Sequence, residues 1–152
     1  MENRVTRFPR GLCGNAPMSV HQNAISIQIN EHARFITFAL RGVVYGADLL
    51  DATERAFAGL AEPWGYNRLY DLRAFINVLQ PEDFVALAEQ WPKLAGRRAS
   101  MRWAILTDDP VRLARAKAYG PLFPDITVRT FDTLAEAISW LSDDLTADQA
   151  AA

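Results

Sequence analysis

From Ile25 onward the apolar positions follow a period of two, and then blocks of period two alternate with blocks of period 3.6. Ile25, Ile27 and Ile29 alternate with Ser26, Gln28 and Asn30, the pattern of a half-buried strand. Asn30-Glu31-His32-Ala33 turns the chain and Arg34 to Leu40 runs back, so a short connection predicts an antiparallel hairpin. The spacing then becomes helical. Leu49, Leu50, Thr53, Phe57 and Leu60 share one side, and Asp48, Asp51, Glu54 and Arg55 the other, which predicts an amphipathic helix over 46–61. Glu62-Pro63-Trp64-Gly65 ends it ahead of a strand from Tyr66 to Leu72.

The next helix starts at Pro81, whose fixed φ suits a first helical position, and Glu82 and Asp83 follow where the dipole favours negative charge. Phe84, Leu87, Ala88, Trp91 and Leu94 make its apolar stripe; Pro92 is expected to kink or break the last turn and Gly96 to stop it. A strand over Met101–Thr107 meets Asp109-Pro110, an N-cap with proline behind it, and that helix ends at Gly120-Pro121. Ile126–Phe131 is the last strand. Thr133-Leu134-Ala135-Glu136 reads as a capping box opening a helix that buries Leu134, Ala137, Ile138 and Leu141. The order ββαβαβαβα predicts an α/β fold with right-handed crossovers and a mixed, mostly parallel sheet carrying an antiparallel N-terminal edge strand.

Residues 1–23 show no periodicity and contain Pro9, Gly11, Gly14 and Pro17. They read as a flexible leader, with Met18 available as a start just ahead of the fold. Residues 24–144 then form a single domain, and 145–152 a frayed tail. The 152 residues suit one domain that buries roughly 68–70% of its unfolded surface. A formal net charge of −2 with scattered basic residues makes nucleic acid a poor partner. The single cysteine, Cys13, permits no internal disulfide, and no apolar run reaches the roughly 18–20 residues that span a bilayer, so cytoplasm is the expected compartment.

Several stretches carry a resemblance. They are Arg68-Leu69-Tyr70-Asp71-Leu72-Arg73, Trp103-Ala104-Ile105-Leu106-Thr107, and Val128-Arg129-Thr130-Phe131-Asp132 with Ala137-Ile138-Ser139-Trp140-Leu141. Together with the element order, they resemble SpoIIAA-like proteins, relatives of the STAS (anti-sigma factor antagonist) and CRAL-TRIO (lipid-carrier) domains. The resemblance spans about 24–142 and implies βα units wound as a short superhelix with strands in near-sequential order. One departure bears on function. Anti-sigma antagonists carry a phosphorylatable Ser or Thr at the start of the helix after the middle strand, whereas here that helix begins Gln80-Pro81-Glu82-Asp83-Phe84. Glu82 or Asp83 would supply permanent charge in place of the phosphoryl group.

In an open parallel sheet, ligands bind outside the carboxyl ends of the strands. That places Tyr45, Asp71, Arg73, Thr107 and Asp108 on the expected edge, with Asp71 and Arg73 two apart and so on one side of an extended segment. They are expected to form an ion pair, to hold a polar ligand, or simply to close a loop. Asp109 is explained by helix capping, and no acidic pair follows the first parallel strand as a receiver domain would need. His21, His32 and Cys13 have no metal-ligand spacing, no Ser-His-Asp or Cys-His set has a rationale, and no glycine motif cradles phosphate. No enzymatic activity, metal or cofactor is therefore expected. Phe75, Ile76, Val78 and Leu79 stand out as an apolar run in a loop over 73–80, next to Phe84; such a loop either tucks in or forms a lid or contact patch. The leading expectation is a non-enzymatic regulatory or protein-interaction module, binding a protein partner or a second copy as a homodimer. The alternative is a carrier or sensor of a small apolar, lipid-like ligand at the same edge.

Overall fold

A computed structural model of the chain describes residues 24–95 and 101–150. β1 (Ile25–Asn30) and β2 (Phe35–Gly42) pair antiparallel with Ile27 opposite Phe38. The Asn30 side-chain oxygen accepts from the Ala33 N–H at 2.8 Å and so helps close the turn. Then follow α1 (Gly46–Ala58), a 3₁₀ turn (Pro63–Gly65), β3 (Asn67–Phe75), α2 (Pro81–Ala95) and β4 (Met101–Leu106). α3 (Pro110–Tyr119), a second 3₁₀ turn (Gly120–Leu122), β5 (Ile126–Phe131) and α4 (Leu134–Ala150) complete the order. The five strands lie side by side in chain order, with β2 to β5 parallel and β1 the antiparallel edge. This is the predicted α/β arrangement.

Alternation along the strands divides the core between the two faces. Ile36, Phe38 and Leu40 of β2 pack with Leu49, Ala56 and Phe57 of α1. Phe35, Leu69, Ala104 and Leu106 point the other way and bury Ala137 and Leu141 of α4. A third cluster joins Met101, Phe123 and Ile126 to Leu87, Ala88 and Trp91 of α2 and to Trp103. α1 and α2 thus share one face, and α4 covers β3, β4 and β5 on the opposite one.

The helix starts follow their local signals. The Asp109 carboxylate accepts from Val111 N–H at 2.8 Å and from Arg112 N–H at 3.4 Å, an N-cap with proline at the first helical position. Thr133 Oγ1 accepts from Glu136 N–H at 3.3 Å, although the Glu136 carboxylate takes the Thr133 hydroxyl proton rather than reaching the cap backbone. α1 ends at Ala58, short of residue 61, where Gly59 caps it and Leu60 N–H donates to Phe57 O. The backbone of α2 stays helical across Pro92 to Ala95, and that of α4 through Ala150. Gly96 and residues 1–23 and 151–152 lie outside the described residues.

One departure from the predicted strands positions the site. β3 runs to Phe75, three residues beyond Leu72, so the segment 73–75 is strand rather than loop. The register explains it. Ala39 faces Asp71, but Arg41 faces Ala74, so β3 carries one residue more than β2 across this interval. An extra residue is a β-bulge, and it reverses which face the following side chains occupy. Phe75 therefore turns to the same face as Tyr70 and Leu72, where strict alternation from Leu72 would have sent it to the other side.

Candidate functional site

The parallel strands all end at one edge, and three connecting segments are tied together there. Ile76 N–H donates to Gly42 O at 2.9 Å. Gly42 itself has φ +65°, a left-handed turn that glycine takes without a Cβ clash and that swings the chain from β2 towards α1. The Asn77 side chain then grips Val44 from both sides, accepting from its N–H and donating to its carbonyl, each at 2.9 Å. From α3, Arg112 donates to the carbonyls of Phe75 and Ile76, and Arg115 to Leu79 O at 2.6 Å. The starts of α1 and α2 also touch, since a Cβ on Gly46 would run into the Asp83 carboxylate.

Beneath this tied loop lies an apolar cavity of about 110 Å³. Its floor is Leu40 of β2, Tyr70, Leu72 and Phe75 of β3, and Trp103 and Ile105 of β4. Leu49 and Thr53 of α1, Phe84, Leu87 and Trp91 of α2, and Arg112, Arg115 and Ala116 of α3 wall it, with Val78 and Leu79 closing it from the loop. The walls are locked by ring contacts. Phe84 stacks on Tyr119 with centroids 4.3 Å apart, joining α2 to α3, and Trp103 packs against Tyr70, Trp91 and Phe123 at 5.5, 5.6 and 4.7 Å.

Among the described residues the lining holds no carboxylate, imidazole or thiol. Its polar residues are Thr53, Tyr70, Trp103, Arg112 and Arg115, whose polar atoms make up very little of its surface. Thr53 donates its proton to Leu49 O at 2.8 Å. Trp103 Nε1 and Arg112 Nε are buried without a hydrogen-bond partner. Burial pushes the Tyr70 hydroxyl up to about 12, against a smaller downward pull from the positive charge of Arg68. Arg68 sits behind the cavity wall. Its guanidinium lies over the rings of Phe57 at 4.5 Å and Trp91 at 5.5 Å and donates to the carbonyls of Pro63, at 3.1 Å, and Tyr66. Desolvation lowers its pKa to about 10, Tyr70 acting the other way.

The sequence-predicted edge is split by the sheet. Phe75, Val78, Leu79 and Phe84 line the cavity. Asp71 and Arg73 occupy a separate, shallow polar depression with Ala39, Arg41 and Ala74. There Arg73 makes a two-pronged ion pair with Asp71, at 2.9 and 2.8 Å, and its backbone N–H donates to the same carboxylate at 3.2 Å. The Arg73 bond holds the Asp71 carboxyl below its ordinary range despite some desolvation. Ile76 and Tyr45 point to solvent, 73% and 59% exposed. Thr107 is buried at the end of β4 and accepts from Asp109 N–H at 3.2 Å, while Asp108 is exposed. Glu82 is exposed too; Asp83 serves as a helix-start group, accepting from Gln80 N–H at 2.7 Å. The residues the sequence reading missed are chiefly Tyr70, Trp91, Trp103, Arg112 and Arg115. The one signal for the arginines was their i, i+3 spacing on α3, a stripe shared with Ala116 and Tyr119.

Among the described residues no group of three or more His, Cys, Asp or Glu is placed to hold a metal, and no helix is long and apolar enough to cross a membrane. No family model and no curated protein matches the sequence. Among solved structures, the chain is similar to an uncharacterised protein of the DUF3478 family, with a SpoIIAA-like fold, from Shewanella loihica PV-4. The likeness has a TM-score of 0.56 and 18% identity, and covers 78% of this chain and 92% of that one. With the sequential five-stranded sheet and its four helices, the likeness establishes that the chain has a SpoIIAA-like fold.

Proposed function

We propose that this chain is a non-catalytic binding module for a small apolar molecule, held under the 76–80 loop at the carboxyl edge of the sheet. The apolar cavity carries the reading. Left empty, about 110 Å³ of such space costs ~2–3 kcal/mol at about 24 cal/mol per Å³, and a ligand of matching shape recovers that cost. An engineered void of about 150 Å³ takes up benzene, so the fitting ligand is a single ring or a short alkyl chain rather than a whole phospholipid. The lining supports a non-catalytic role, because it offers no carboxylate, imidazole or thiol for proton transfer or attack.

Native mass spectrometry of protein purified from cells tests the reading, together with thermal melts in millimolar benzyl alcohol or hexanol. A bound small-molecule mass, or a rise in Tm that Ala116→Leu abolishes by filling the space, is the expected result. A clean apo mass with no shift in Tm rejects it. A protein-interaction role has its own support in the exposed rim residues Val43, Tyr45 and Ile76, which lie beside one another through the Ile76–Gly42 and Asn77–Val44 bonds. Light scattering tests self-association: a concentration-dependent dimer lost in Ile76→Asp favours it, and a strict monomer argues against a second copy as the partner.

A further inference from the structure

We infer that the ligand of this cavity is an anion, a small apolar body carrying a carboxylate or equivalent acidic group that Arg115 receives. The inference rests on the cavity being a ligand site. Two arginines border a space whose surface is almost wholly apolar. Arg112 is already neutralised, since its Nη1 lies 2.7 Å from the Asp109 carboxylate. Arg115 is not. Its one bond is from Nη1 to the backbone carbonyl of Leu79, and among the described residues no carboxylate pairs with it. A guanidinium has five N–H donors in a planar fork, so most of those of Arg115 carry no partner among the described residues. One positive charge at the cavity border is therefore left without a protein counter-ion.

Two further donors lie behind the lining: Trp103 Nε1 and Arg112 Nε are buried without a hydrogen-bond partner. Among the described residues no acidic side chain lines the cavity. The side chain that would bind the anion is also the one that ties the loop, through Leu79 O. Head-group capture and loop position are therefore coupled through a single residue. A neutral hydrocarbon would fill the same volume but leave the Arg115 charge unanswered. Charge-assisted bonds to carboxylate are about twice as strong as neutral ones, which makes the preference for the anion measurable.

Calorimetric titration of the full chain at neutral pH tests this, with benzoate and hexanoate set against benzyl alcohol and hexanol. The anions are expected to bind at least about tenfold more tightly than the matched alcohols. Arg115→Gln is expected to bring the two classes to parity, weakening the anions at least about tenfold more than it weakens the alcohols. Arg115→Lys, which keeps the charge but not the fork, is expected to retain part of the preference. A role for Arg115 in merely holding the loop predicts instead that both classes weaken together in Arg115→Gln. That result, or equal binding of acids and alcohols by the parent, overturns the inference while leaving the cavity a ligand site. Binding of none of the four compounds removes the cavity reading and the inference with it.

Discussion

Among the described residues Arg68 is the largest side chain wholly withdrawn from solvent, and no carboxylate accompanies it. Carbonyls of the 3₁₀ turn and the strand start, and the faces of Phe57 and Trp91, take the place of a counter-ion. That geometry needs a flat, forked cation. Arg68→Lys keeps the charge but cannot serve both carbonyls and both rings, so a loss of ~1–3 kcal/mol is expected in urea unfolding. A variant as stable as the parent would show that these contacts contribute nothing net. Tyr70 and Arg68 also pull alkaline stability in opposite directions. The Tyr70 hydroxyl, raised to about 12 from 10.0, favours the fold fully below pH 10, and that contribution is lost as pH rises through about 12. Arg68, lowered to about 10 from 12.5, does the reverse: the penalty of burying its charge is relieved as pH climbs through the same window. Tyr70→Phe removes the first effect and, with it, the upward pull of Tyr70 on Arg68. Its stability relative to the parent is expected to improve steadily from about pH 10 upward, read from urea midpoints at a series of pH values.

At the level of elements, the loop 76–80 is held by side chains rather than by a ladder. Asn77 extends the pairing of β2 and β3 to two residues beyond their ends, making with its carboxamide the two bonds that another strand residue would make with its backbone. Val44, fully buried, thereby has both backbone groups satisfied. Asn77→Ala is expected to cost about 1–2 kcal/mol and to speed hydrogen exchange at the Val44 amide well beyond that of the β2 interior. Unchanged protection at Val44 would mean that the loop is fixed by Arg112 and Arg115 alone.

At the scale of the molecule, the two faces of the sheet do different work. One is closed by α1, α2 and α3 and encloses the cavity; the other is stabilised by α4 packing across β3, β4 and β5. Leu141 anchors that second face and is fully buried beside Leu69 and Leu106. Leu141→Ala is expected to lower global stability by about 2–5 kcal/mol while leaving small-molecule binding intact under native conditions, because the cavity lies across the sheet. Loss of binding at a temperature where the variant is fully folded would show that the two faces are coupled.

The element order, the helix starts at Pro81 and Asp109 and the alternation in β1 to β5 were legible because each is decided within a few residues. Proline fixes its own φ, aspartate reaches N–H groups two and three positions on, and successive strand side chains oppose each other. Four of the ten predicted edge residues, Phe75, Val78, Leu79 and Phe84, line the cavity for a similarly local reason: an apolar run beside a helix start must be covered by something. The rest depended on long-range geometry. Whether Phe75 faces the cavity is set by one residue more in β3 than in β2, a difference in length that neither strand reveals alone. Asp71 and Arg73 are close in sequence to the cavity floor yet occupy another depression, since alternation across a sheet separates neighbours in the chain. Arg115 gains its place only because α3 crosses behind a loop 36 residues earlier. Local chemistry chose the elements; the registers and crossings between them decided which side chains share a space.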